Sequence, residues 1–306
     1  MPTRRDLLHL ALAGSASLLQ GCSPLTLVND WTPSGNYRAT AGIRYGSHPR
    51  YLLDVYQPAS PANPTIAGAK APVVVFFYGG NWNSGERADY LFAGEALASR
   101  GYVAVLPDYR LYPEVRYPDF LADSAQAVRW VFDHIAGIGG VAGDTQQVFL
   151  MGHSAGAYNA AMLALNPAYL RAAGVERARV RGLIGLAGPY DFLPLTGEIT
   201  RAVFGFPDTA ITTQPIHHAS RAAPPALLVT GADDNVVNPG NSSRLAAQLH
   251  QQGAQTRVIT YPGISHATLV GALSSSLRGL PRYRPVLNDI AAFINVTSAA
   301  RDPEKM

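Results

Sequence analysis

The sequence predicts an α/β fold, with one mostly parallel sheet of eight strands covered by helices on both faces. From about residue 40 onward, short runs rich in Val, Leu, Ile and Phe alternate with longer amphipathic stretches, as strands joined by crossover helices do. Hydrophobic residues make up 47% of the 306 residues and charged ones only 15%, which is enough for a large buried core. No internal repeat divides the chain, so we expect one domain over residues 37–298.

The predicted strands fall into an initial pair and a later group of six. A Gly-Ser-His-Pro turn at residues 46–49 separates the first two, which are expected to form a hairpin. The other six are continuous apolar runs, as burial on both faces of a parallel sheet requires. In chain order the predicted strands are residues 42–45, 51–57, 72–78, 103–106, 147–151, 181–187, 226–230 and 257–261.

Five amphipathic or small-residue stretches between these strands predict helices. They are residues 87–99, 120–134, 155–165, 242–252 and 287–294. Residues 194–225 break the rhythm with several Gly and Pro, which predicts a short cap beside the sheet, with His217 and His218 on a short helix within it. Residues 299–306 are expected to be a C-terminal tail.

The first 36 residues have the layout of an export signal followed by a surface tether. Arg4 and Arg5 precede an apolar run over residues 7–19, which is shorter than the roughly 20 residues that span a bilayer. The start resembles a twin-arginine export signal, and Leu-Gln-Gly-Cys at residues 19–22 resembles a bacterial lipobox. We therefore expect residues 1–21 to be a cleaved signal and residues 22–36 to be a surface tether. The protein would be a periplasmic lipoprotein carrying its lipid on Cys22, the alternative being a soluble periplasmic protein.

Composition argues against several classes of partner. The formal net charge is only +3, and the Lys and Arg residues are scattered, so nothing indicates nucleic acid. Cys22 is the only cysteine, which rules out an intramolecular disulfide, and no Cys/His cluster has zinc-site spacing. We expect no metal site, and contact with a membrane only through the lipid on Cys22. The sequence does not determine the oligomeric state.

A serine flanked by glycines follows the fifth predicted strand directly. Residues 152–156 read Gly-His-Ser-Ala-Gly, and a predicted helix follows at once. So tight a turn holds Ser154 in strained backbone angles at the tip of the strand, and a Cβ at position 152 or 156 would collide with a neighbouring strand or helix. The pattern predicts that Ser154 is a catalytic nucleophile, the alternative being an ordinary glycine-rich turn.

A serine hydroxyl is a weak nucleophile until a base removes its proton, and histidine is the usual base. His266 follows the last predicted strand on a loop at the carboxyl end of the sheet, where open α/β sheets bind ligands. His217 and His218 are the competing candidates. We predict that His266 is the base.

The base in turn needs a carboxylate that holds its tautomer. The loop after the predicted strand at residues 226–230 offers Asp233 and Asp234, and Asp191 follows the strand before it. We favour Asp234, with Asp233 second and Asp191 third. The order Ser, Asp, His along the chain is that of α/β-hydrolases.

These motifs together resemble the α/β-hydrolase esterases of the carboxylesterase, hormone-sensitive-lipase-like and kynurenine-formamidase-like branch. The resemblance extends over residues 40–296. It rests on Tyr-Gly-Gly-Asn-Trp at 78–82, Asp-Tyr-Arg-Leu-Tyr-Pro-Glu at 108–114, and the segments 152–156, 231–237 and 262–266. It implies the α/β-hydrolase fold, a triad of Ser154, Asp234 and His266, and no cofactor.

The resemblance also implies which groups form the oxyanion hole. They would be the backbone amides of Gly80, Asn81 and Ala155, brought close by the glycine pair after the third strand. The family usually has His where this chain has Tyr78, but the amides remain. The segment 108–114 resembles a structural signature that braces this loop.

We therefore expect a serine esterase that cleaves small carboxylic esters, because a cap of about 30 residues is too small for a lipase-like lid. Residues expected to line its pocket are Trp82, Tyr112, Tyr190 and Leu269. One alternative is an arylformamidase, which the export signal disfavours. Another is a hydrolase-like binding lipoprotein without catalysis, which would not need to keep all three triad residues.

Overall fold

In the computed structural model, which describes residues 28–60 and 70–300, one sheet of eight strands runs through the molecule. The strand order is β1-β2-β4-β3-β5-β6-β7-β8. The pairs β1/β2 and β2/β4 are antiparallel, and every later neighbour pairs in parallel. The strands are β1 Tyr37–Arg44, β2 Leu52–Pro58, β3 Ala71–Phe77, β4 Val103–Pro107, β5 Gly143–His153, β6 Val180–Leu186, β7 Ala226–Gly231 and β8 Thr256–Tyr261.

Helices cover both faces of the central strands. Successive side chains of a strand point to opposite faces, and in β4 and β6 every residue is buried, so both faces must be covered. The α-helices are α1 Leu91–Ala98, α2 Asp119–His134, α3 Ala155–Leu165, α4 Pro167–Ala172, α5 Glu198–Phe204, α6 Gly240–Gln251, α7 His266–Gly271, α8 Ser275–Arg278 and α9 Arg284–Ala299. This arrangement is the α/β-hydrolase fold that the sequence predicted.

The two edge strands depart from the sequence prediction. β1 begins at Tyr37, five residues before the predicted start, and most of its residues are exposed. It pairs with β2 through backbone hydrogen bonds, which need no apolar run. β8 was predicted to be buried but alternates between half-buried and exposed residues, because it has a neighbour on one side only.

The helix predictions differ from the structure mainly at short elements. The predicted helix at residues 87–99 is a 3-10 turn, Arg87–Tyr90, followed by α1. The short helices α4, α5, α7 and α8 were not predicted, since helices of four to seven residues present too little periodicity to recognise. α9 is longer at both ends than the predicted residues 287–294.

The cap predicted over residues 194–225 contains α5 and two 3-10 turns, Ile211–Thr213 and Pro215–His218. His217 and His218 lie on the second turn, as expected.

At the N-terminal side, residues 28–36 of the predicted tether contact the body of the domain. Asn29 Nδ2 donates to the Ala88 carbonyl oxygen, and Asn36 Nδ2 donates to Glu95 at 2.7 Å. The predicted signal, Cys22 and the end of the C-terminal tail lie outside the described residues. In the described part of the chain, no helix is both long and apolar enough to cross a bilayer.

Candidate active site

The turn between β5 and α3 holds Ser154 in a conformation that L-residues rarely adopt. Its φ and ψ are 56° and −123°, and α3 begins at the next residue. A Cβ at Gly152 would lie 2.3 Å from the Gly156 backbone, and a Cβ at Gly156 would lie 2.1 Å from the Phe77 carbonyl oxygen. The structure thus confirms the steric reason for both glycines, because any larger residue would push α3 away from β5 or β3.

The loops after β7 and β8 bring a carboxylate and an imidazole together. His266 Nδ1 lies 2.8 Å from Asp234 Oδ2, and the Asp234 side chain is fully buried. Asp234 Oδ1 accepts the backbone N–H groups of Val236 and Val237, both at 2.9 Å. The carboxylate is therefore held from both oxygens, which fixes the orientation of the imidazole that it contacts.

Hydrogen bonds between the backbones of these two loops explain why they meet. Ala232 N–H donates to Tyr261, and Asp233 N–H donates to Ile264. The sequence suggested that His266 lies within a loop, but in the structure it is the first residue of the short helix α7. Ser265 caps this short helix by accepting the Thr268 N–H, so the backbone beside His266 is ordered by its own hydrogen bonds.

Of the competing acids and bases, Asp191 and His218 have other partners, while Asp233 and His217 are exposed. Asp191, in the loop after β6, forms an ion pair with Arg244 of α6. His218 Nε2 lies 2.7 Å from the Thr212 carbonyl oxygen and therefore contacts the backbone of the cap.

A second histidine, His153, lies beside His266 and was missed in the sequence. Its Nε2 lies 3.2 Å from the His266 carbonyl oxygen, and the two rings are 4.7 Å apart between centroids. Burial, with a smaller effect from neighbouring His266, lowers the pKa of His153 to about 3. His153 is thus a neutral donor to the backbone of His266. The signal for it was its place in the motif, directly before Ser154.

The loop after β3 has three consecutive residues at positive φ, two of which are not glycine and are therefore strained. Gly80, Asn81 and Trp82 have φ values of 134°, 52° and 59°. The Gly80 carbonyl oxygen accepts the N–H groups of Asn83 and Ser84, which closes the loop into a tight turn. Asn81 lines one cavity together with Ser154 and Ala155, whereas Gly80 is not among the residues lining it.

Tyr78, where the resemblance leads us to expect His, directly precedes this loop and is held by contacts with Arg50 and Tyr109. Arg50 Nη2 donates to the Tyr78 hydroxyl at 2.7 Å and to the Gly85 carbonyl oxygen at 2.9 Å. The Tyr109 hydroxyl donates to the Tyr78 carbonyl oxygen, and the two rings stack with centroids 4.7 Å apart. The segment 108–114 therefore does contact the loop that the resemblance expected it to brace.

The cavity beside Ser154 has a volume of about 630 Å³, within the usual range for small-molecule sites. Its lining includes the apolar side chains of Trp82, Phe192 and Leu195, and also the Asp191–Arg244 ion pair. The cap contributes residues 195–197 and Thr200 to this lining, so part of the segment predicted as a cap lies beside the cavity.

Only one of the four predicted pocket residues lines this cavity. Trp82 does, but Tyr112, Tyr190 and Leu269 do not. Tyr190 and Leu269 are fully buried in the core, and Tyr112 is half-buried and contacts Arg116. Pocket residues depend on how the loops after β6 and β7 fold over Ser154, and strand periodicity does not determine this. Among the described residues, no cluster of three His, Cys, Asp or Glu side chains could hold a metal ion.

Comparison with a family model and with curated proteins relates the chain to esterases. The BD-FAE family model matches residues 53–249. The chain is 28% identical to esterase LipC of Mycobacterium tuberculosis over 281 residues, which covers 85% of this chain and 65% of that protein. It is 30% identical to the isoprenylcysteine alpha-carbonyl methylesterase ICME of Arabidopsis thaliana, covering 78% of this chain and 58% of that one. The chain spans 58 to 59% of the length of the plant methylesterases it matches.

Solved structures share the fold. Esterase B from Lactobacillus Rhamnosis superposes with a TM-score of 0.77 at 19% identity, covering 98% of this chain and 99% of that one. Butyrate-bound esterase 2 of Thermogutta terrifontis superposes with a TM-score of 0.66 at 25% identity, covering 84% and 93%.

Proposed function

Because the chain belongs to the BD-FAE family of α/β-hydrolase esterases, we propose that it hydrolyses small carboxylic esters through an acyl-enzyme on Ser154. The observation that carries this proposal is the buried Asp234 carboxylate bonded to His266 at 2.8 Å, beside the strained turn that presents Ser154. In acyl transfer by a serine, a carboxylate orients the imidazole and stabilises its protonated form, and the imidazole takes the proton of the serine hydroxyl.

In this mechanism His266 Nδ1 donates to Asp234, so that Nε2 is free to act as the base. Nε2 takes the proton from Ser154 while Oγ attacks the ester carbonyl carbon. The proton then passes to the leaving alkoxide, and the alcohol departs. Water, deprotonated by His266 in the same way, attacks the acyl-enzyme and releases the carboxylic acid.

The tetrahedral intermediate in each half-reaction carries a negative charge on the former carbonyl oxygen. The backbone amides of Gly80, Asn81 and Ala155 are the proposed donors to it. Asn81 and Ala155 line the cavity with Ser154, which supports their role. Each such donor is worth about a hundredfold to a thousandfold in rate.

A short acyl group fits this cavity best. Residues 195–197 and Thr200 of the cap line the cavity together with Trp82 and Phe192, so we expect these side chains to limit the room for long acyl chains. The butyrate bound in the related Thermogutta terrifontis esterase and the esterase names of the curated relatives support the same class of substrate. They favour ester hydrolysis over the arylformamidase and binding-lipoprotein alternatives.

The test is hydrolysis of p-nitrophenyl acetate, butyrate and decanoate by the wild type and the Ser154→Ala variant. We expect rates to fall with chain length and to vanish in the variant. Labelling of the wild type alone by a fluorophosphonate would support a nucleophilic Ser154. Activity retained by a clean Ser154→Ala preparation would refute the mechanism, and turnover of N-formyl aromatic amides in place of esters would refute the substrate class.

We also propose that the protein is exported and carries a lipid on Cys22, a residue outside the described part of the structure. The basis is the sequence of residues 1–22 alone. Membrane fractionation of the Cys22→Ala variant beside Ser23→Ala tests it. Loss of membrane association in the first variant only is expected, and equal fractionation of both would contradict lipidation.

A further inference from the structure

The strained loop that carries two of the proposed oxyanion donors needs something to hold it in place. Non-glycine residues at positive φ cost about 1–3 kcal/mol each, and Asn81 and Trp82 follow one another in this state. Such a conformation persists only where the surroundings impose it. The side chain of Trp82 packs into the core, with 2% of its surface exposed.

Four aromatic rings surround the Trp82 indole. Tyr158 and Phe204 meet it edge-on, with centroid distances of 5.2 and 4.9 Å, and Phe120 and Phe192 complete the cluster. Packing of this kind buries the ring and favours certain ring orientations, while a hydrogen bond, which requires its own distance and angle, adds a stricter constraint. A directional contact is needed to fix the position of the loop.

That contact is a hydrogen bond to the helix of the nucleophile. Trp82 Nε1–H donates to Asn159 Oδ1 at 3.0 Å, and Asn159 is completely buried. Asn159 lies on α3, four residues after Ala155, so the two residues are on the same face of the helix, one turn apart. The amide of Ala155 is the third proposed oxyanion donor, which means that one hydrogen bond joins the two halves of the oxyanion hole.

We propose that Asn159 is a positioning residue that sets the separation between the loop amides of Gly80 and Asn81 and the helix amide of Ala155. This inference rests on the proposed function. Donors must lie close to the position that the oxyanion takes, so a misplacement of about 1 Å can cost on the order of a hundredfold in rate. Asn159 itself contacts no reacting atom.

The experiment compares Asn159→Leu and Trp82→Phe with the control Ser124→Ala. Leu matches Asn in shape but accepts no hydrogen bond, and Phe keeps an aromatic ring while removing the indole N–H. Asn159 Nδ2 lies 3.4 Å from Ser124 Oγ, so Ser124→Ala removes the other partner of Asn159 without changing its bond to Trp82. The wild type and Ser154→Ala are measured first, since activity surviving in Ser154→Ala would refute the proposed function and not this inference.

For p-nitrophenyl butyrate, we expect kcat of Asn159→Leu to fall about 10- to 100-fold with KM changed less than about threefold. The inhibition constant of a short alkyl boronic acid, which forms a tetrahedral adduct with serine, should rise by a similar factor. The kcat of the double variant Trp82→Phe/Asn159→Leu should lie within about threefold of the kcat of the slower single variant, because both substitutions remove the same hydrogen bond. Ser124→Ala should retain the wild-type kcat.

Three outcomes would overturn the inference. One is an Asn159→Leu variant with reduced thermal stability but unchanged kcat, which indicates a purely structural role. Another is a loss of kcat in Ser124→Ala equal to that in Asn159→Leu. The third is additive losses in the double variant. If Asn159→Leu does not fold, Asn159→Ala, which also removes the acceptor and does not line the cavity, decides in its place, with the same expected fall in kcat and rise in the boronic acid inhibition constant.

Discussion

At the scale of single residues, the adjacent aspartates Asp233 and Asp234 show that one step along a turn can change both the burial and the partners of a side chain. Asp233 points its side chain to solvent, whereas Asp234 is buried, accepts two backbone N–H groups and contacts His266. The sequence could predict that one of the two is the triad acid, because both come shortly after the apolar run that forms β7. It favoured Asp234 but could not exclude Asp233, since the direction of a side chain depends on the turn's hydrogen bonds.

The first prediction uses this pair. Asp234→Asn should lower kcat for p-nitrophenyl butyrate by about 10³- to 10⁴-fold, because an amide can hold His266 in the wrong tautomer. Asp233→Asn makes the same chemical change at an exposed position and should keep kcat within about twofold. Steady-state kinetics of the two variants side by side is the measurement. Equal losses in both, or a loss in Asp233→Asn only, would show that Asp234 is not the triad acid.

His153 leads to a prediction about pH. Its pKa is lowered to about 3 by burial, whereas in an unfolded chain histidine has a pKa near 6.5. Between these values the unfolded chain binds a proton that the folded protein does not, so stability falls as the pH is lowered through this window. Between pH 7.5 and 5, this one residue should remove about 2 kcal/mol of unfolding free energy.

Urea unfolding of wild type and His153→Gln at pH 7.5, 6 and 5 tests the effect of this histidine. Gln can still donate to the His266 carbonyl oxygen but does not titrate, so the variant should lose less stability than the wild type on acidification. Contributions from other groups cancel in the difference. His250→Gln, which replaces an exposed histidine at the end of α6, is the control and should follow the wild type. Parallel curves for all three proteins would contradict the assignment.

At the scale of elements, the turn from β5 to α3 was the most predictable part of the site. A strand, Gly-x-Ser-x-Gly and a helix form one local unit, so sequence alone located Ser154 and explained its glycines. The loops that line the cavity were less predictable, because the positions of Phe192 and Leu195 depend on packing between the cap and loops distant in sequence. His153 was missed for the same reason, since its partner His266 is 113 residues away.

The glycines of this turn supply a prediction for the element as a whole. Gly156→Ala places a methyl group about 2.1 Å from the Phe77 carbonyl oxygen, so α3 must move away from the end of β3. We expect a loss of about 3 kcal/mol or more in unfolding free energy, and lost activity, because β3 leads directly into the loop with Asn81. Thermal unfolding and p-nitrophenyl butyrate hydrolysis measure both effects.

The matched control for this change is Gly139→Ala. Gly139 is exposed in the loop before β5, and a Cβ there would meet nothing within 4 Å. Removing a glycine at such a position leaves stability unchanged or raises it by up to about 1 kcal/mol, because the unfolded chain becomes less flexible. A Gly156→Ala protein as stable and active as Gly139→Ala would mean that close packing of α3 against β3 is not required.

At the scale of the whole molecule, the order of strands explains why distant segments of sequence form one site. β5 lies between β3 and β6, and β7 and β8 follow in the same parallel direction, so the loops at their carboxyl ends open on one edge of the sheet. Alternation of strands and helices predicted this arrangement. It did not predict how the start of the described domain and its C-terminal helices are joined to α1, because such contacts involve isolated polar residues and no periodic pattern.

One of these contacts is a buried ion pair between Glu95 on α1 and Arg278 on α8, which are 183 residues apart. Both carboxylate oxygens of Glu95 accept from Arg278, Asn36 donates to the same group, and the Glu95 side chain is fully buried. The pair therefore joins the start of the domain, its first helix and its C-terminal helices. Removing Arg278 would leave a buried carboxylate with Asn36 as its remaining partner.

We expect Arg278→Met to lower the unfolding free energy by about 3–5 kcal/mol at pH 7, because the charge on Glu95 is then uncompensated. Arg129→Met removes an exposed pair with Asp133 on α2 and should cost less than about 1 kcal/mol. The double variant Glu95→Leu/Arg278→Met removes both charges and should recover most of the loss. Urea unfolding of the four proteins is the measurement. If Arg278→Met and Arg129→Met lost the same stability, the ion pair between Glu95 and Arg278 would not be what holds the C-terminal helices to α1.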